Sequence, residues 1–210
     1  MTHHVRIKIC GIRDQVALDT AVESGADFVG FVRWAGSPRH VEGDEAIRLG
    51  ATLPETVEPV GLFVDASLQE ILTCPFKWIQ LHGNEDETLA EALQAEGRHV
   101  IRGFRFDQDQ LMRWDACTAV DRLLVDGSHI GGTGEGFDHE ALAAMLPELD
   151  TPLFVAGGLT PDNVGEVIRC CTPWGVDVSS GVERLRGVKD PELIDAFCEA
   201  ARPDEVEPND

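Results

Sequence analysis

Brief apolar runs and amphipathic stretches alternate eight times along the chain. The runs at 5–10, 27–33, 58–64, 77–82, 99–105, 120–126, 152–156 and 174–179 are rich in Val, Ile, Leu or Phe, which predicts β-strands. Between them, 13–24, 44–53, 67–73, 86–96, 108–116, 138–146 and 161–170 read as helices, and 190–201 follows the last strand. Thr160 before Pro161 and Asp190 before Pro191 each place a capping side chain ahead of a proline at the first helical position. Strict alternation implies a parallel sheet with right-handed crossovers, and eight such units close as a single (βα)8 TIM barrel, here spanning residues 1–201. The remaining 202–210, with two prolines and four acids, reads as a disordered acidic tail.

Strand parity divides the side chains of each run between two faces. Val5, Ile7 and Ile9 form the face packed against helices, leaving Arg6, Lys8 and Cys10 toward the barrel interior. The same grouping turns Trp78, Gln80 and His82 inward from the fourth strand, and Arg122, Leu124 and Asp126 from the sixth. Cys10 and Asp126 each end a run and precede a glycine, Gly11 and Gly127. Parallel strands of one barrel open on the same face, so a thiol and a carboxyl there can flank one bound molecule as an acid–base pair. Taken singly, Cys10 also suits packing, Asp126 a turn cap and Lys8 an interior ion pair. Their combination points to catalysis. His82 ends the fourth strand and reads as support beside that site.

Glycine-rich turns follow the last three strands: Gly131-Gly132-Thr133-Gly134, Ala156-Gly157-Gly158-Leu159 and Ser179-Ser180-Gly181-Val182. In barrels the turns after strands seven and eight commonly offer backbone amides to phosphate, so a phosphorylated sugar is the expected small-molecule ligand. Each turn taken alone is equally well explained by tight backbone geometry. Neither a P-loop ending nor a Gly-x-Gly-x-x-Gly fingerprint is present.

The chain has 210 residues, long enough for one barrel domain, and a formal charge of -21 from 38 acidic against 17 basic residues. Nucleic acid and anionic membranes are therefore excluded as partners. Acids are spread over the whole chain, as in proteins that work in concentrated salt, where the screening length falls to about 3 Å at 1 M. The N-terminus lacks an apolar leader and no run reaches about 18 apolar residues, so a cytoplasmic location is expected. Six cysteines show neither Cys-x-x-Cys nor a regular spacing, which argues for core thiols over a disulfide or zinc framework.

Seven strings resemble phosphoribosylanthranilate isomerases in order and position. They are Lys8-Ile9-Cys10-Gly11-Ile12, Gly25-Ala26-Asp27-Phe28-Val29-Gly30-Phe31, Ser37-Pro38-Arg39, Gln80-Leu81-His82-Gly83, Gly131-Gly132-Thr133-Gly134, Ala156-Gly157-Gly158-Leu159 and Asp177-Val178-Ser179-Ser180-Gly181-Val182-Glu183. The resemblance implies a cofactor-free and metal-free isomerisation of N-(5-phosphoribosyl)anthranilate to 1-(2-carboxyphenylamino)-1-deoxyribulose 5-phosphate in tryptophan biosynthesis, by a monomer or homodimer. It makes Asp126 the general acid and Cys10 the general base, with Lys8 and Arg39 as candidates to favour the thiolate. It also assigns the anthranilate carboxylate to Arg39; on the same reading the turns after strands seven and eight hold the phosphate at Gly157, Gly158, Ser180 and Gly181, Asp177 is a candidate for a sugar hydroxyl, and His82 and Gly132 are candidate substrate contacts. Trp34-Ala35-Gly36 departs from the more polar approach expected before Ser37-Pro38-Arg39. A metal-dependent epimerase would need paired histidines and acids at strand ends, and a bifunctional sugar isomerase usually has aspartate in place of Cys10. A non-catalytic phosphosugar-binding protein would not need the acid–base pair.

The charge pattern carries its own test. Thermal melting should shift upward from dilute buffer to molar salt as self-repulsion is screened, and an unchanged melting temperature would remove the salt-adaptation reading.

Overall fold

The computed structural model describes residues 4–127 and 139–202. Eight parallel strands, β1 (Arg6–Cys10), β2 (Phe28–Val32), β3 (Glu58–Phe63), β4 (Trp78–Leu81), β5 (His99–Arg105), β6 (Arg122–Asp126), β7 (Leu153–Ala156) and β8 (Gly175–Val178), close in sequence order. Lys8 stands in register with Asp177 across the closing β1–β8 seam. Around the barrel run α1 (Gln15–Glu23), α2 (Gly43–Gly50), α3 (Leu68–Leu72), α4 (Glu87–Ala95), α5 (Gln108–Asp115), α6 (His139–Met145), α7 (Val164–Cys171) and α8 (Pro191–Ala201). The acidic tail expected at 202–210 falls outside the described residues beyond Arg202.

Local chemistry sets many helix starts. Asp14 and Asp107 each accept a backbone N–H at 2.9 Å, from Ala17 and Gln110. Ser67 and Asp86 do the same for α3 and α4. Asp190 caps α8 ahead of Pro191 as expected, accepting from the Glu192 N–H at 3.0 Å. Thr160-Pro161 does not open α7. Asn163 intervenes, its Oδ1 accepting the Thr160 N–H at 2.8 Å and its Nδ2 donating to the Gly158 carbonyl, so 161–163 form a turn and the helix begins at Val164.

Among the described residues a strand pair is added to the eightfold pattern. Between β8 and α8, β9 (Glu183–Leu185) and β10 (Val188–Lys189) form an antiparallel hairpin against the top of the barrel. Its strands are too short and too polar to show in an apolar pattern.

Two cores follow from the strand period. Ile7, Ile9, Val29, Phe31, Ile79, Leu81 and Val155 face the helices, whereas Phe28, Val60, Trp78, Ile101, Leu124, Phe154 and Ala156 fill the barrel. Phe28 meets Trp78 and Phe154 edge to face, each with ring centroids 5.6 Å apart. Below them the Arg122 guanidinium lies 4.3 Å over the Trp174 ring, closing the amino-terminal end. Bulky rings therefore plug the lower half, and the smaller Cys10, Val32 and Leu62 line the upper half. Among the described residues the larger cavities open at the carboxyl ends of the strands, and a smaller one of about 250 Å³ lies at the amino-terminal end beside Arg122 and Trp174.

Removing a plug ring should cost stability without touching the site. Phe154→Ala, at a fully buried position, is expected to lower unfolding free energy by about 3–5 kcal/mol in urea titration. A loss below about 1 kcal/mol would show that the ring cluster does not hold the barrel.

Candidate active site

At the carboxyl ends of the strands lies a cavity of about 440 Å³. Cys10 enters its wall from β1 and Asp126 from β6, far around the barrel. Leu62, Gln80, Leu124 and Ala156 also line it, together with Gly157 and Gly158 of the turn after β7 and Asp177, Ser179 and Ser180 at the end of β8. Trp34, Ser37 and Arg39 contribute the loop after β2. Most of the residues singled out from the sequence thus share one wall. Gly181 is the exception among the described residues: it sits one position farther along, packed against the Leu159 carbonyl, and does not line the cavity. Gly132 lies outside the described residues. A larger neighbouring cavity of about 820 Å³ shares Val64, His82 and Asp126, and its wall includes the Arg102–Glu85 ion pair at 3.0 Å. The smaller cavity is the candidate reaction site because it alone of the two holds a thiol across from the carboxyl.

Charge is concentrated beneath Cys10. Lys8 is fully buried and its Nζ donates to Asp177 Oδ1 at 2.7 Å. Burial opposes that ammonium, but Asp177 and then Cys10 outweigh it and raise the Lys8 pKa. Gly30 on β2 makes room for this cluster, since a Cβ there would lie 2.9 Å from Cys10 Sγ and 3.2 Å from Lys8 Nζ. For Cys10 the largest effect is burial, which raises the thiol pKa; Lys8 and Lys189 lower it and Asp177 raises it. The net shift is upward, so the cations moderate burial without overcoming it. Lys8 fills its expected place, whereas the second cation acting on Cys10 is Lys189 and not Arg39.

Arg39 is held elsewhere. Its Nε and Nη2 donate to the two carboxylate oxygens of Glu183 at 2.6 and 3.0 Å, a bidentate fork from the β2 loop to β9. Asp177 points inward, with Lys8 as partner. His82 Nδ1 lies 3.0 Å from Gln80 Nε2; accepting that hydrogen bond leaves the ring proton on Nε2. Burial pushes the His82 pKa down, only partly countered by Asp126 and Asp177, so the imidazole is neutral at pH 7. Gly157 and Gly158 adopt φ of +88° and +69°, left-handed geometry suited to glycine.

Glu183 and Lys189 escaped the sequence reading. Their signals were nonetheless present: Glu183 closes the last of the seven strings, and Lys189 is one of three lysines in the chain, two of which are buried here.

A thiol and a carboxyl on separate strand ends, over a floor of buried side chains, define a (βα)8-barrel enzyme of the proton-transfer class. The sequence pattern of the family described as N-(5'phosphoribosyl)anthranilate (PRA) isomerase matches residues 7–200, and the chain belongs to that family. It is 42% identical over 210 residues to the N-(5'-phosphoribosyl)anthranilate isomerase of Paracoccus denitrificans, covering 94% of this chain and 97% of that protein. The Thermotoga maritima phosphoribosyl anthranilate isomerase superposes with a TM-score of 0.85 at 34% identity, over 95% of this chain and 100% of that one; a further structure from that organism is of generated monomers of the dimeric enzyme. A phosphoribosyl anthranilate isomerase in complex with reduced 1-(o-carboxyphenylamino)-1-deoxyribulose 5-phosphate gives 0.84 at 33% identity, over 95% and 100% of the two chains.

The buried pair at the seam predicts an asymmetric mutational response. Lys8→Met strands the Asp177 carboxylate and should cost about 3–5 kcal/mol in denaturant titration. Lys8→Met combined with Asp177→Asn should recover most of that loss. A double variant no more stable than the single one would show that pairing is not what stabilises this position.

Proposed function

We propose that the chain isomerises N-(5-phosphoribosyl)anthranilate to 1-(2-carboxyphenylamino)-1-deoxyribulose 5-phosphate, with Asp126 as general acid and Cys10 as general base. Asp126 gives its proton to the furanose ring oxygen as the C1–O bond breaks, and the anthranilate nitrogen lone pair forms the C1=N iminium. That cation acidifies the proton on C2, which the Cys10 thiolate removes. The electron pair of the broken C–H bond moves to C1–C2 and neutralises the nitrogen. Tautomerisation of the resulting enolamine gives the ketone.

The observation that carries this reading is the placement of Cys10 and Asp126 on one cavity wall from strands β1 and β6. A volume of about 440 Å³ falls within the usual range for ligand pockets, roughly 300–1,000 Å³. In this reading the phosphate rests on the backbone at Gly157 and Gly158, with Ser180 and Gly181 at the start of the following turn, and Gly132 borders the substrate. The Arg39 fork engages Nε and Nη2 with Glu183, so Nη1 takes the anthranilate carboxylate. Asp177 binds a sugar hydroxyl from the side away from Lys8, and neutral His82 donates from Nε2. Trp34, half exposed at the cavity, supplies an apolar surface where a more polar approach was expected.

A place in tryptophan biosynthesis, a cytoplasmic setting, a monomeric or homodimeric state and salt adaptation complete the proposal. Six free cysteines and the formal charge of -21 support the setting and the salt adaptation respectively. Among the described residues no helix is long and apolar enough to cross a membrane.

The test is turnover of freshly generated N-(5-phosphoribosyl)anthranilate, followed by loss of substrate fluorescence in molar salt. Asp126→Asn and Cys10→Ser should each lower kcat by about 10²–10⁴-fold while leaving the fold intact. Absence of turnover by the folded parent would overturn the assignment. Equal binding of phosphorylated ligands by parent and Cys10→Ser, without turnover by either, would favour the non-catalytic binding protein.

A further inference from the structure

We propose that the β9–β10 hairpin is a positioning element of the active site, in which Glu183 clamps the guanidinium of Arg39 and Lys189 sets a second buried ammonium beside the strand end that carries Cys10. This deepens the isomerase reading and rests on it for the roles of Arg39 and Cys10.

The geometry is a continuous chain of partners. The Glu183 side chain is nearly inaccessible to solvent, and its carboxylate accepts four donors: Arg39 Nε and Nη2, the Gly187 N–H at 2.9 Å, and Lys189 Nζ at 3.2 Å. All its near neighbours are donors, so the carboxylate stays ionised despite burial, and its pKa is lowered. Lys189 is also buried. Its Nζ meets three acceptors, the Ser179 carbonyl at 2.7 Å, Ser179 Oγ at 3.4 Å and Glu183 Oε1, which uses the three N–H groups of an ammonium. Ser179 Oγ in turn donates to the Cys10 carbonyl at 3.0 Å. A hydrogen-bonded path therefore runs from the hairpin to the backbone of the reactive thiol.

Charge counting explains what this path achieves. Three cations, Lys8, Lys189 and Arg39, stand against two carboxylates, Asp177 and Glu183, which leaves one positive charge around a neutral thiol. Ionising Cys10 brings the ligand-free cluster to neutrality. The count covers the ion-paired cluster around Cys10; neutral His82, just after β4, and Asp126, at the end of β6, line the same cavity. Without Lys189 the cluster is already neutral, and a thiolate would be an uncompensated buried anion. A hairpin present only to close a loop needs no buried lysine, least of all in a chain that has three.

The test reads Cys10 and substrate separately. Iodoacetamide alkylation of the ligand-free protein is followed across pH by peptide mass spectrometry, with the exposed Cys170 as internal reference. In Lys189→Met and Lys189→Gln, the Cys10-to-Cys170 rate ratio near neutral pH should fall about tenfold, an upward shift of about one pH unit in the Cys10 profile. Lys189→Arg keeps the charge and should retain most of the parent ratio. Glu183→Gln should raise KM by about tenfold with a smaller effect on kcat, because the Arg39 clamp serves binding. Unchanged alkylation profiles in both neutral variants would overturn the proposal, as would a loss in Lys189→Arg equal to that in Lys189→Met. If the parent does not turn over the phosphoribosyl substrate but the alkylation ratio still falls, the isomerase assignment fails and the influence of Lys189 on Cys10 stands.

Discussion

The seam between β1 and β8 is the constraint on which the site depends. Lys8 and Asp177 are 169 residues apart, yet closure of the barrel puts them in register and joins them through a buried 2.7 Å ion pair. A charge of either sign left alone in that interior would carry a heavy desolvation cost. The pair therefore favours one alignment of first strand against last. From that alignment follows the height of Cys10, two residues above Lys8 on the same inward face, and the approach of Ser179 to the Cys10 backbone. The glycine turn after β7 and the hairpin after β8 take their places around the same seam.

The barrel was legible because its two periodicities are strong. Strand limits from the apolar runs differ from the observed strands by no more than two residues at either end, and inward and outward faces match on β1, β4 and β6. A two-residue period leaves little freedom once one face must be apolar, as Ile7 and Ile9 show. Cys10 and Asp126 were found because each stands where such a run stops. What escaped is short-range or purely electrostatic. Nothing in Glu183-Arg184-Leu185 or Val188-Lys189 signals a strand. The partnership of Arg39 with Glu183 spans 144 residues and exists only after folding. The start of α7 was misplaced because a proline preceded by threonine suits a turn as well as a helix, and Asn163 decides between them.

The distribution of basic residues separates surface from site. Lysine is nearly absent from the chain, and of its three occurrences only Lys77 is exposed. Lys8 lies under Cys10 and Lys189 is joined through Ser179 to the strand end that carries it, each bound to a carboxylate. Burial still raises the thiol, so the two ammonium groups act by limiting that rise. A thiol kept neutral at rest, next to cations that compensate its ionisation, suits a base whose target proton becomes acidic only after the sugar ring has opened.

The most direct test of the site is a crystal structure of this protein bound to reduced 1-(o-carboxyphenylamino)-1-deoxyribulose 5-phosphate. The phosphate should lie on the Gly157–Gly158 turn beside Ser180, the aryl carboxylate on Arg39, and the sugar carbons between Cys10 Sγ and the Asp126 carboxyl. A ligand seated instead in the neighbouring cavity beside Arg102, or reversed so that its phosphate meets Arg39, would contradict the assignment of Cys10 and Asp126 as the base and acid of one reaction.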